Sequence, residues 1–82
     1  MPPELPIAAT LDVTRDLCPL TFVKTRLELE ELKPGQLLEV FVREGEALEN
    51  VARSCALDGN PVHAREPRGD GTWRLVIEAT AP

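Results

Sequence analysis

Cys18, Cys55 and His63 are the residues of this 82-residue chain whose chemistry first invites a functional reading. Cys18 carries the strongest signal, because Pro19 follows it at once and the pair lies between two runs of different periodicity. The strand-like run ends at Leu11-Asp12-Val13, and a helix-like run begins at Pro19-Leu20-Thr21-Phe22-Val23. Proline is favoured at the first position of a helix, where its missing N–H costs nothing, so Pro19 is expected at N1. Cys18 then stands at or next to the N-cap, where unpaired backbone N–H groups and the positive end of the helix dipole favour thiolate over thiol. The competing reading is a buried, inert cysteine that behaves as a small apolar side chain.

The other candidates are weaker. Cys55 falls on an apolar stripe with Leu48, Val51 and Ala52, which marks it as a core residue and not a resolving thiol. There is no Cys-x-x-Cys pair, which argues against a thioredoxin-like redox site. One histidine and two separated cysteines do not make a zinc spacing, so no metal site and no cofactor are expected. His63 reads as a solvated position on an edge strand, and no histidine lies near Cys18 in sequence to act as a base. Arg15, Lys24 and Arg26 are close enough in sequence to lower the cysteine's pKa or to meet an acidic partner; Arg15 is the best auxiliary among them.

The elements that must position Cys18 follow from periodicity. Ile7, Ala9, Leu11 and Val13 alternate with Ala8, Thr10 and Asp12, which predicts a half-buried strand. A helix is expected from Pro19 to about Lys33, stopped by Pro34-Gly35. It carries two stripes: Phe22, Thr25, Leu29 and Leu32 on one face, and Leu20, Val23 and Leu27 on nearly the opposite one. Only one stripe can meet a single sheet. If Phe22, Leu29 and Leu32 do so, then Leu20, Val23 and Leu27 form an exposed docking strip beside Cys18; the alternative is a broadly buried helix whose flanks the N-terminal arm covers.

Gln36–Arg43 predicts a central strand, apolar on both sides, and Glu46–Leu57 a second helix ended by Asp58-Gly59-Asn60-Pro61. Val62 and Ala64 alternate with His63 and Arg65. After the turn at 67–71, Trp73, Leu75, Ile77 and Ala79 alternate with Thr72, Arg74, Val76 and Glu78, so the chain closes as a β-hairpin. The order βαβαββ predicts an α+β two-layer sandwich, with both helices on one face of a four-stranded mixed sheet and a parallel first crossover.

Length allows one domain over residues 1–82 with a thin core, its residues 1–6 a flexible proline-rich arm. The net charge of −5 and the absence of a spaced aromatic set argue against direct nucleic-acid binding. No apolar run approaches a membrane span, and two cysteines without a secretory signal point to a reducing cytoplasm. A monomer is expected.

With Cys18 at a strand-to-helix junction in this element order, the stretch from Leu11-Asp12 through Cys18-Pro19-Leu20-Thr21 to Leu32-Lys33-Pro34-Gly35 resembles the TusA/SirA family of small sulfur-carrier proteins. The resemblance continues through Leu37-Leu38-Glu39-Val40 to the closing hairpin. It implies that Cys18 accepts sulfane sulfur as a persulfide from a donor protein, a desulfurase or rhodanese-like enzyme, and hands it to an acceptor. That is a sulfurtransferase activity feeding tRNA thiolation, cofactor sulfuration or sulfur oxidation. Two positions depart from the family pattern. Thr21 replaces a usual second proline, restoring a backbone donor and adding a hydroxyl able to hydrogen-bond the thiolate. Thr14-Arg15-Asp16-Leu17 lacks the glycine and second basic residue often found before the cysteine. The alternative functions are a noncatalytic binding or regulatory module that engages a partner through Leu20, Val23 and Leu27, and a thiol redox sensor, which requires Cys55 to be exposed and within disulfide reach of Cys18.

Overall fold

Strand alternation and one amphipathic helical segment, residues 46–57, give the layers their inner faces. A computed structural model of the chain describes residues 6–17 and 19–80. Cys18 and most of the arm expected at 1–6 therefore lie outside the described residues. The elements are β1 (Ile7–Asp12), α1 (Leu20–Glu31), β2 (Leu37–Arg43), α2 (Glu46–Leu57), β3 (Val62–Pro67) and β4 (Thr72–Glu78). The sheet order is β1-β2-β4-β3, with β1 parallel to β2 and the other pairs antiparallel. The expected four-stranded mixed sheet is present. β2 is central, as its two-sided apolar content predicted.

Both helices pack on the face formed by Leu38, Val40 and Val42 of β2 and Leu75 and Ile77 of β4, all fully buried. Leu48, Val51 and Cys55 of α2 meet them from above. The opposite face of the sheet has no helix on it. There a chain of polar contacts crosses every strand: Thr10 Oγ1 donates to Glu39 Oε1 at 3.1 Å, Arg74 pairs with Glu39, and Arg74 Nη1 reaches Glu66 Oε1 at 2.8 Å. The guanidinium of Arg74 holds the Glu39 carboxyl below its usual range.

Three details differ from expectation. Helix α1 ends at Glu31, short of Lys33, because Leu32 is already extended (φ −89°, ψ 153°) ahead of Pro34, whose ring disfavours helical backbone in the residue before it. Gly35 then takes φ 91°, a left-handed value only glycine adopts freely, and its N–H donates to the Ala79 carbonyl at 2.8 Å. In β3, a register shift between Val62 and Ala64 breaks the simple alternation. Arg65 consequently lies opposite the inward Leu75, on the helix side, where it pairs with Glu49 of α2 and lies over the Trp73 ring at 5.7 Å.

The third difference concerns α1. Its buried stripe is centred on Thr21, Thr25 and Leu29, with Phe22 and Leu32 packing at the margins. Two threonines therefore occupy the middle of the helix–sheet contact, and the leucine-rich face is the one turned outward. Thr25 Oγ1 satisfies itself by donating to the Thr21 carbonyl at 2.7 Å. The Thr21 hydroxyl, equally buried, has no hydrogen-bond partner among the described residues.

Candidate functional site

The junction between β1 and α1 is held by local hydrogen bonds on both sides of Cys18. Asp12 Oδ1 accepts from the Thr14 amide at 2.9 Å and the Thr14 hydroxyl at 2.7 Å, a turn closed by an aspartate side chain. These two bonds, with the Arg68 and Arg15 charges adding to them, keep the Asp12 carboxyl below its usual range. The Asp16 amide donates to the Val13 carbonyl at 3.1 Å, and Asp16 Oδ1 takes the Lys24 ammonium at 2.8 Å, tying the loop to the second turn of α1.

Pro19 occupies the N-cap, not the expected N1 position: φ is −93° and ψ 5°, and its carbonyl accepts the Val23 N–H at 3.1 Å. The cause lies one residue on, where the Leu20 N–H turns back to the Leu17 carbonyl at 2.8 Å and so belongs to the preceding turn. A proline N-cap has no side-chain acceptor, and no side chain of the described residues caps α1. No acidic residue lies in its first turn.

Four apolar side chains between residues 17 and 27 face outward, although Val13 of the same junction is buried. Leu17 is 79% exposed, Leu20 50%, Val23 42% and Leu27 57%, and Pro19 is exposed as well. The exposed strip expected at Leu20, Val23 and Leu27 is therefore present, and Leu17 extends it to the N-terminal side of Cys18. Leu17 was missed because it precedes the helix and periodicity assigns it no face. Its neighbour Arg15 is exposed and makes no ion pair with a described residue. Lys24 is taken by Asp16, and Arg26 lies 3.4 Å from Glu30, so both are engaged with carboxylates of their own segment.

The remaining candidates fall elsewhere. Cys55 is free and 1% exposed, inside the core as its stripe predicted. That removes the exposed second thiol on which a redox sensor depends. His63 is on β3, at the far edge of the sheet from β1, with Nε2 2.7 Å from Glu78 Oε1. An open cleft of about 490 Å³, lined in part by Arg26, Leu32, Pro34, Asp58 and Thr80, lies at the C-terminal end of α1, the end opposite the 13–17 loop. No group of three or more metal-ligating side chains is gathered among the described residues. None of their helices is long and apolar enough to cross a membrane.

Burial raises the Cys55 thiol from 9.0 to about 12. The unfolded thiol ionises first as pH rises, so the stability that the neutral buried thiol contributes is complete below pH 9 and is lost as pH climbs towards 12. Between those values the wild type is expected to lose about 1.4 kcal/mol per pH unit relative to Cys55→Ala. Urea melts of both proteins from pH 8 upward measure the difference; parallel pH profiles would refute it.

Set against known proteins, residues 9–79 match the family described as sulfurtransferase TusA. This chain belongs to the TusA family. Proteins described as "putative sulfur carrier protein" are similar to it: one from Archaeoglobus fulgidus is 37% identical over 68 residues, covering 83% of this chain and 77% of its relative. One from Methanocaldococcus jannaschii is 41% identical over 68 residues, covering 83% and 89% respectively. A third, from Thermotoga maritima, is 31% identical across 88% of this chain and 91% of its own. The crystal structure of a SirA-like protein from Desulfitobacterium hafniense superposes with a TM-score of 0.77, covering 89% of this chain and 99% of that one at 20% identity. At that identity the superposition shows the shared fold, and the two-layer βαβαββ sandwich is the TusA/SirA architecture.

Proposed function

We propose that this TusA-family chain is a sulfur carrier, a sulfurtransferase that holds sulfane sulfur as a persulfide on Cys18 and relays it between two proteins. The observation that carries this reading is the family match across the β1–α1 junction, where Cys18 stands between the exposed Leu17 and Pro19. Transfer requires a thiolate that two proteins can reach in turn. In loading, the Cys18 thiolate attacks the outer sulfur of a donor persulfide; the donor's S–S bond breaks as the Cys18 S–S bond forms, and the donor leaves as a thiolate. In unloading, an acceptor nucleophile attacks the outer sulfur and Cys18 leaves as the thiolate. Neither step changes the overall oxidation state, so no second cysteine is needed.

Pro19 fixes the backbone beside the nucleophile by its ring, Arg15 supplies a nearby positive charge, and the Thr21 hydroxyl offers a donor to the sulfur anion. The donor is a desulfurase or rhodanese-like protein, the acceptor a protein of a sulfur-using pathway, and the compartment a reducing cytoplasm. Mass spectrometry after incubation with a cysteine desulfurase and L-cysteine tests the proposal. A gain of one sulfur atom mapped to the peptide containing Cys18 is expected; no gain, or a gain on Cys55, overturns it.

Both partners would dock on the strip Leu17, Leu20, Val23 and Leu27, an apolar surface adjoining the nucleophile. Leu27→Glu is expected to leave the melting temperature unchanged, since the side chain is more than half exposed. The same change should raise the KM for the donor protein by about tenfold, the effect of losing one well-placed interface side chain. Steady-state transfer with varied donor concentration reads this directly, and an unaltered KM would remove the strip from the docking surface.

A further inference from the structure

Thr21 and Thr25 stand one turn apart in the helix–sheet contact, both fully buried, and they are satisfied differently. A threonine in a helix can donate its hydroxyl proton to the carbonyl three or four residues back. Thr25 does so, onto the Thr21 carbonyl at 2.7 Å. Thr21 is the second residue of α1, so the same reach falls on the segment before the helix. Four back is Leu17, whose carbonyl takes the Leu20 N–H at 2.8 Å and receives no bond from Thr21. Three back is Cys18.

A buried hydroxyl without a partner costs stability, and Thr21 Oγ1 has none among the described residues. Valine has the same shape without the hydroxyl, so packing alone does not account for a threonine here. Thr21 and Thr25 are the buried polar residues among those described, so no charged side chain shares their contact. The charged groups of the junction lie outside it: Asp12 and Asp16, held by Thr14 and Lys24, and the exposed Arg15.

We propose that the Thr21 hydroxyl donates to the Cys18 sulfur when that atom is an anion, and so serves as a leaving-group donor for the unloading half of the relay. This rests on the carrier reading. In a persulfide the charge sits on the outer sulfur and the inner sulfur is neutral; in the unloaded carrier the charge is on the Cys18 sulfur itself. A donor fixed beside the inner sulfur therefore favours the unloaded form. During unloading the electron pair of the breaking S–S bond moves onto the Cys18 sulfur, and the hydroxyl meets that charge as it develops. A thiolate of lower pKa leaves faster and attacks more weakly, so Thr21 biases the carrier towards delivery.

The test compares the full chain as wild type, Thr21→Val and Thr21→Ser, each loaded with sodium polysulfide and unloaded with cyanide. The cyanide carbon attacks the outer sulfur; its C–S bond forms as the S–S bond breaks, thiocyanate departs and Cys18 is left as the thiolate, with no other oxidant or reductant consumed. Thiocyanate release should slow by about threefold to tenfold in Thr21→Val, since only part of the charge has reached the Cys18 sulfur in the transition state, and Thr21→Ser should restore it. On the unloaded proteins, iodoacetamide alkylation mapped to the Cys18 peptide should have its pH midpoint raised by about one to two units in Thr21→Val, with a plateau rate no lower than that of the wild type. Asp12, Arg15, Asp16 and Lys24 are common to all three proteins, so the difference isolates the hydroxyl. At a pH where the thiol is neutral, the melting temperature of Thr21→Val should not fall.

An unchanged midpoint overturns the proposal, as does a raised midpoint that Thr21→Ser fails to restore. An unchanged midpoint with a lower melting temperature also overturns it, and places the hydroxyl's bond on the Cys18 carbonyl. Thr21→Ala is read in the same way if Thr21→Val fails to fold. A wild type that takes up no sulfur on Cys18 refutes the carrier reading and the unloading role with it, whereas normal loading with unaltered alkylation and thiocyanate release refutes the role of Thr21 alone.

Discussion

Cys18→Ser is expected to abolish persulfide loading, whereas Cys55→Ser leaves it intact. A serine hydroxyl is not ionised near neutral pH and forms no stable sulfur adduct, so the substitution removes the bond-forming atom itself. The contrast with Cys55 has a structural basis: that thiol is 1% exposed and its ionisation is pushed up to about 12, so it is neither reachable nor a thiolate. Intact-protein mass spectrometry of the two variants after donor treatment gives the answer in one measurement. Loading retained in Cys18→Ser would end the carrier assignment. Loading lost in Cys55→Ser, with folding preserved, would mean that the core thiol takes part after all.

Leu38→Ala is expected to be the most damaging truncation of an apolar side chain. Leu38 lies on the central strand, fully buried, at the centre of the layer where both helices meet the sheet. Removing three carbons from such a site destabilises by about 2–5 kcal/mol, through lost transfer free energy and the cavity left behind. A chain of this size has a total stability on the order of 4–12 kcal/mol, so the variant approaches unfolding at ordinary temperatures. A fall in melting temperature of roughly 15 °C or more follows. Leu17→Ala is the matched control: the same atoms are removed from a side chain 79% exposed, and stability should change by no more than about 0.5 kcal/mol. Equal shifts in the two variants would show that Leu38 does not carry the core.

Much of this fold was legible because its signals are local. The alternation in β2, the stripe of Leu48, Val51 and Cys55 on α2, and the glycine and proline stops each depend on neighbours close in sequence. The exceptions all involve a choice among equal local options. In β3, alternation assigned Arg65 outward, but one register shift turned it towards Glu49 of α2. On α1, the stripe of Phe22, Thr25, Leu29 and Leu32 was expected to face the sheet, and its centre lies instead on Thr21, Thr25 and Leu29. Small β-branched residues let the helix sit close to the sheet, and a leucine stripe left outside is consistent with a surface kept for another protein.

The order of elements around Cys18-Pro19 came from residue types and spacing alone, because a chain reversal between strand and helix is written in consecutive residues, whereas the place of Pro19 as N-cap and not N1 was set by the turn at Leu17–Leu20. Which stripe of α1 faces solvent, that Leu17 joins it, and that Arg68 of a hairpin fifty residues away reaches Phe41 beside the same loop were decided by tertiary structure. Those outcomes depend on parallel and antiparallel pairing of strands distant in sequence, and no local pattern records which distant strand a residue will meet.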